Sequence, residues 1–440
     1  MTESKSEEGK APTHDEFKAA LAIASSDASA KASAGQVEEA CAILLSHEKK
    51  TRVAGDAFAT AEACVALVNL LWGIKDLKAL NAHILILAKR RAQLKRAITE
   101  MVQGVMKFLE DIANEDDKVE LITTLRTVTD GKIYVEVERA RLTMTLSKIL
   151  EARGKIDEAS ETLQEIAVET FGSMDSKEKA NFLLEQIRLC LAQKDYFRMQ
   201  VIANKVSKKA IKEEGFEDVK LNFYRLMLEL HGHSKDSVAL RTDFQEIYNT
   251  PSVKAEEAKW QEALASIVVY LALSPYSNET SDLEHRTLLD KNLDALPAYR
   301  RLLEALTTQE IIPWPMPDDA EYRRHAVLAL DEWHAMLHKR IVQHNIRVIS
   351  TYYTRIRFDR LSSLLSLEHA ATEAALSEMV SEKFVYAKID RPAGIVSFAR
   401  KKPAEEVLAE WSADVSTLLG LVEKTCHLIN KENMVHGITK

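Results

Sequence analysis

Gly35-Gln-Val-Glu-Glu-Ala40 and Gly154-Lys-Ile-Asp-Glu-Ala159 share a glycine, an apolar third position, two acids and an alanine. Glycine at such a point ends one helix, and the acids after it sit well at the positive end of the next. The two stretches belong to a longer rhythm. Gly35, Gly73, Asn114, Gly154, Lys194 and Lys235 each stand in a polar break before an amphipathic run, at spacings of 38, 41, 40, 40 and 41. A constant period of this size marks stacked helix pairs. One pair cannot bury its own apolar face, so neighbours must stack into a right-handed, TPR-like solenoid with a long concave surface. Surfaces of that kind hold partners.

Composition agrees. A chain of 440 residues with 46% hydrophobic and 29% charged residues, only 13 Gly and 9 Pro, has little material for a turn-rich β fold and reads as mainly helical. The formal charge of −8 argues against a general affinity for nucleic acid or anionic membrane, because phosphate binding needs clustered Lys and Arg. Cys41, Cys64, Cys190 and Cys426 lie far apart without a Cys-x-x-Cys, so neither a zinc knuckle nor a disulfide framework is indicated. They read as small buried hydrophobes of an intracellular protein. Met1 to Pro12 lacks the apolar segment of a signal peptide, and the richest apolar run, Ile267 to Leu273, is too short to span a bilayer.

Five regions follow. Residues 1–34, rich in Ser, Ala, Glu and Lys, read as a disordered tail, with a short helix expected at Asp15 to Ile23. Residues 35–311 form the helical-repeat solenoid. Tyr134, Val137, Ala140, Leu142, Leu146 and Ile149 recur at three- and four-residue steps, as do Phe182, Leu183, Ile187, Cys190 and Leu191. Residues 312–335 are a linker and connecting helix, opened by Ile312-Pro-Trp-Pro-Met-Pro-Asp-Asp319, whose three prolines exclude helix. Ala320 to Arg355 reads as one long helical stretch. Short helices at Asp359 to Leu365 and Glu368 to Lys383 precede a hairpin, Val385 to Asp390 and Ile395 to Arg400, that turns at Arg391-Pro-Ala-Gly394. Helix, short helix, helix and hairpin make a winged helix over residues 336–402. Residues 403–440 carry a last long helix, Ala404 to about His436.

Two surfaces stand out as candidates for partner binding. The hairpin offers a strand edge at Val385, Ala387 and Ile389, and unpaired edge groups invite pairing with another chain. Along the last helix Leu408, Trp411, Val415, Leu418, Val422 and Ile429 trace a coiled-coil-like seam. Either this seam meets a partner, or the helix folds back on the solenoid.

Catalytic and metal-binding motifs are weak. His334 and His338 have metal-ligand spacing, yet Ala335 stands where a zinc protease needs its glutamate, and a surface or interface role is expected. His231-Gly-His233 superficially matches the start of a zinc isopeptidase motif, but Ser234, Thr242 and Gln245 replace its proline, serine and aspartate, so a loop between repeats is expected. No phosphate-cradling or nucleophile-elbow motif occurs. Nothing implies a cofactor or metal, and the chain reads as a non-enzyme. Trp72, Trp260, Trp314, Trp333 and Trp411 read as packing anchors. Between Lys339 and Lys402, twelve Lys and Arg face six Asp and Glu, a net of +6. The helix that would enter a DNA groove nevertheless carries Glu368, Glu373, Glu378 and Glu382, so protein docking is the better account.

A helical-repeat solenoid running into a winged helix and a long final helix resembles the PCI proteins of the proteasome lid, the signalosome and a translation initiation factor. Gly131-Lys-Ile-Tyr-Val-Glu-Val-Glu-Arg-Ala-Arg-Leu142, Leu184-Glu-Gln-Ile-Arg-Leu-Cys-Leu-Ala-Gln-Lys-Asp-Tyr196, Lys259-Trp-Gln-Glu-Ala263, Ser281-Asp-Leu-Glu-His-Arg286, His344-Asn-Ile-Arg347 and Tyr352-Tyr-Thr-Arg-Ile356 resemble a lid member of that family. The resemblance implies a non-catalytic scaffold in a hetero-oligomer of the cytoplasm and nucleus. Its implied partners are other lid subunits of the PCI and MPN types, the ATPase ring of the base and the core particle, with no nucleic acid and no membrane. The alternatives are a PCI subunit of the COP9 signalosome or a nucleic-acid-binding winged-helix adaptor.

Overall fold

The computed structural model describes residues 14–213, 215–399 and 403–437. They fall into two compact units, one running to Lys235 with Asn249–Ser252 added, the other made of Asp236–Tyr248 and everything from Val253 onward.

The first unit is a succession of antiparallel helices whose turns repeat one device. Gly55, Lys75, Lys194 and Lys235 adopt left-handed backbone, with φ of +78°, +62°, +61° and +55°, and each is followed by an aspartate. Asp56, Asp76, Asp195 and Asp236 then cap the next helix, their carboxylates accepting from backbone N–H groups at 3.0–3.1 Å. The left-handed residue closes the preceding helix: Gly154 N donates to Glu151 O at 2.8 Å and Lys155 N to Leu150 O at 3.0 Å, the doubled bond of a Schellman turn. Gly35 and Gly154 take the same position. Gly73 does not, because it lies inside the helix Ala57–Ile74 and the break falls at Lys75. Asn114 caps the helix Glu115–Thr129.

Three expectations for this unit change. Residues 14–33 of the expected disordered tail form the helix His14–Ser33, which buries Phe17 and Ala28 against the neighbouring pair, while residues 1–13 lie outside the described residues. The helix Ala57–Ile74 is long and apolar enough to cross a bilayer, but Cys64, Leu67, Val68 and Leu71 along it belong to the core shared with the flanking helices. His231 and His233 sit in the last turn of the helix Glu217–Ser234, not in a loop, and the His233 ring stacks on Tyr196 at 3.7 Å.

In the second unit the helix Glu257–Leu273 is buried without interruption from Ala263 to Leu273. The proline stretch that follows the helix Pro297–Thr307 is packed rather than loose. Ile312 and Met316 are buried, and the Asn345 side chain holds Ile312 at both backbone groups, accepting from its N and donating to its O, each at 2.9 Å. The single helix expected over Ala320 to Arg355 is broken into a short turn, Asp319–Tyr322, an irregular stretch, and the helix Asp331–Tyr352. His334 shows why: its Nδ1 accepts from Arg323 at 3.2 Å, so Nε2 carries the proton and donates to Asp319 at 2.8 Å. Trp314 packs over both His334 and His338. His334 is therefore a buried clasp, not a surface residue.

The helix Asp331–Tyr352 leads into the winged helix. Strand β1 (Arg355–Arg357) is followed by helices Phe358–Leu365 and His369–Ser381, then β2 (Lys388–Asp390) and β3 (Ile395–Ser397). The sheet order is β1-β3-β2, with both neighbours antiparallel to β3 and Val396 opposite Ile356 and Ile389. Gly394 permits the turn at φ +61°, and its carbonyl accepts from Phe358 N at 2.8 Å. Val342, Ile346, Ile349, Leu361, Leu376 and Val396 form the core of this module.

Two predictions follow from burial here. Asn345→Ala strands two buried backbone groups of Ile312, at about 1–3 kcal/mol each. Thermal unfolding at lower temperature is expected, whereas unchanged stability would show that water replaces the clamp. Glu284, 9% exposed, has its pKa pushed up to about 7 by burial, against the pull of Arg347. A carboxyl whose pKa rises on folding binds its proton more tightly in the folded state, so stability falls as pH climbs from about 4.5 to about 7 and is level above. Glu284→Gln should therefore raise stability at pH 8 by roughly 3 kcal/mol and much less at pH 4.5, as read by chemical denaturation at both values.

Candidate protein-binding site

The helix Ala404–Val435 has Glu405 and Glu406 in its first turn, favourable to the helix dipole. It buries no residue at all. Leu408 is 60% exposed, Trp411 66%, Leu418 61% and Val422 52%, with Val415 and Ile429 also uncovered. These six positions step by 3, 4, 3, 4 and 7, and Thr425 fills the long step, so the seam is an unbroken a/d heptad from 408 to 429. A 3.5-residue repeat drifts around an ordinary helix and is kept in register only by supercoiling with another one. Leu419, Leu421 and Leu428, exposed as well, widen the stripe. Their side chains leave a helix that buries none of its residues against another described element.

The wing behaves differently. Val385 is buried in the module's core, and Ala387 and Ile389 pack against it, so these side chains face inward and are not themselves an uncovered surface. The strand proper is shorter than expected, Lys388–Asp390, and Arg400 lies outside the described residues. What β2 leaves open is its outer backbone edge, since β3 takes the other side. Strand β1 at the opposite edge has too few residues for its alternation to be legible in sequence.

The acids of the helix His369–Ser381 are tied to bases. Glu373 pairs with Arg391 of the wing turn, its Oε1 accepting from Nε at 2.9 Å, and Glu378 pairs with Lys339 at 2.5 Å. Two of the cations that gave this region its positive balance are thereby engaged. Among the described residues no group of three His, Cys, Asp or Glu is placed to hold a metal ion.

A family model described as PSMD12/CSN4, N-terminal, matches residues 39–256, the PCI domain model matches 322–400, and a model for the 26S proteasome regulatory subunit RPN5 C-terminal domain matches 405–437. 26S proteasome non-ATPase regulatory subunit 12 homolog B of Arabidopsis thaliana is 40% identical over 92% of this chain and 98% of its own length. The chain belongs to the family of proteasome regulatory subunit 12, or RPN5. The Saccharomyces cerevisiae member, 26S proteasome regulatory subunit RPN5, is 40% identical over 90% of this chain and 91% of its own. COP9 signalosome complex subunit 4 of Drosophila melanogaster is more distant, at 22% over 75% of this chain and 87% of its own. The C-terminal match coincides with the uncovered helix, so the seam is part of a domain the RPN5 family defines for itself.

The contrast between wing and last helix is measurable in the isolated chain. Ile389→Asp buries a charge against the winged-helix core and should destabilise by about 2 kcal/mol or more. Leu418→Asp should shift stability by less than about 0.5 kcal/mol, because nothing covers that side chain. Equal losses would mean that the last helix packs on the rest of the molecule.

Proposed function

We propose that the chain is a non-catalytic scaffold of the proteasome regulatory particle's lid, and that its last helix enters a helical bundle with other lid subunits. The uncovered heptad seam of Ala404–Val435 is the observation that carries this. An apolar stripe of this length is tolerated in water only as a binding face, and regular a/d spacing selects another helix as its occupant. The outer edge of β2 is the second contact, through backbone pairing with a neighbouring subunit. Helix pairs built only to bury their own stripes supply length and spacing, which is what docking towards the ATPase ring of the base and the core particle requires. The cytoplasm and nucleus are the compartments that go with such a role.

Absence of chemistry is part of the same proposal. His334 and His338 are taken up by Asp319, Arg323 and Trp314, and His233 by Tyr196. Ubiquitin-chain cleavage would belong to another subunit, with this chain acting on it through assembly.

The test combines Leu418→Asp with Val422→Asp. Each apolar side chain buried in a bundle contributes about 2 kcal/mol, and each aspartate adds a desolvation cost, so the double variant should lose lid incorporation on native gels while its circular dichroism stays that of the parent. Incorporation at the parent's yield would contradict the bundle role.

A further inference from the structure

A pocket in the second unit lies between the helices Asn278–Leu288 and Asp331–Tyr352 and is closed by Met379 and Phe384 at the end of the helix His369–Ser381. Its polar groups do not satisfy one another. Glu284 is nine-tenths buried and lines the pocket, yet no hydrogen bond reaches its carboxyl from any described residue. Arg347 stands over the Tyr276 ring at 3.5 Å, its Nη2 approaches His344 Nδ1 at 3.5 Å, and its Nη1 is buried with no acceptor. Arg340 is committed, with Nε donating to Leu273 O at 2.9 Å and Nη1 to Gln343 Oε1 at 2.7 Å. That bond uses the Gln343 carbonyl, and Gln343, whose amide nitrogen is its remaining donor, is itself one of the residues lining the pocket.

Each simple occupant leaves something wrong. A cation would meet Arg340 and Arg347. A carboxylate would meet Glu284, with Glu378 and Glu382 acting on Arg340 from the neighbouring helix. An apolar group would seal an unpaired acceptor and an unpaired donor together, at about 1–3 kcal/mol each. His344, whose pKa burial lowers, adds no charge of its own. A neutral planar group with one acceptor and one donor suits all of them: its oxygen takes the N–H groups of Arg347 and Gln343, and its NH2 donates to Glu284. We propose that this pocket takes a primary carboxamide, the side chain of a glutamine or asparagine on an extended segment of a partner protein. The walls supplied by Ala272, Leu306, Met379 and Phe384 suit the methylenes of such a side chain, in keeping with pockets that pair apolar lining with few converging polar groups. This site is separate from the last helix, and its success or failure leaves the scaffold reading where it stands.

The probe is the capped tripeptide acetyl-Ala-Gln-Ala-N-methylamide, titrated at pH 8 into the full chain carrying 13C-methyl methionine. The Met379 signal is identified by Met379→Leu, and the corresponding glutamate and lysine peptides are the comparison arms. A saturable shift of the Met379 signal is expected, with the glutamine peptide binding at least about 10-fold more tightly than either comparison peptide, as an unpaired buried group predicts. Glu284→Leu and Arg347→Lys should each weaken it by a similar factor, with the other methionine signals unmoved. Should either variant fail to fold, the three-peptide ranking in the parent chain decides alone. Binding of the glutamate or lysine peptide as tight as that of the glutamine peptide overturns the proposal. So does a Met379 signal that no peptide moves, which would assign the pocket to water, or glutamine binding that survives in both variants.

Discussion

An amphipathic helix is stable in water only when something covers its apolar stripe, and this chain meets that demand by placing the next helix over the last one. Leu67, Leu71, Leu80 and Ile84 are buried in one core shared by successive helices, and the run Ala263–Leu273 is buried along its length. The left-handed residue and aspartate at Gly55-Asp56, Lys75-Asp76 and Lys194-Asp195 make the succession possible, because each reverses the chain in two residues while helping to satisfy both helix ends. The demand is met by sequence neighbours until the winged helix closes on its own small core. Beyond Pro403 the 32-residue helix Ala404–Val435 buries none of its side chains among the described residues, and its apolar seam from Leu408 to Ile429 is left uncovered.

The forty-residue period was legible because its cause is local. A turn that must reverse the chain at a fixed place needs glycine or another residue tolerant of positive φ, and the acids beside it announce the next helix. Gly73 misled by two residues, since a glycine in the next-to-last helical position carries the same signal as one just past the end. The last helix and its seam were equally legible, because little competes with periodicity on an element that buries none of its residues.

Other features depended on partners distant in sequence. A short helix at Asp15 to Ile23 was legible, but its extension to Ser33 depends on the groove that receives Phe17 and Ala28, which the Ser- and Ala-rich composition does not show. The helix expected across Ala320 to Arg355 broke because Asp319 and Arg323 fold back on His334, a clasp between residues eleven and fifteen positions apart. The clamp of Asn345 on Ile312 spans 33 positions. At the wing, alternation of Val385, Ala387 and Ile389 suggested a longer strand than the Lys388–Asp390 that forms and did not tell which face is covered; the structure turns those side chains inward. The chemistry of the pocket around Glu284 had no sequence signal, since Glu284, Arg340 and Arg347 come together only through packing.

The central claim is that Ala404–Val435 is half of an interface whose other half belongs to other subunits. Amide hydrogen exchange along this helix, followed by mass spectrometry, tests it most directly, because exchange reports local opening without requiring a variant. The account predicts that residues 404–435 exchange rapidly in the isolated chain, while Ala263–Leu273 stays protected, and that they become slow in the assembled lid. Strong protection of residues 404–435 already present in the isolated chain, unchanged on assembly, would contradict it.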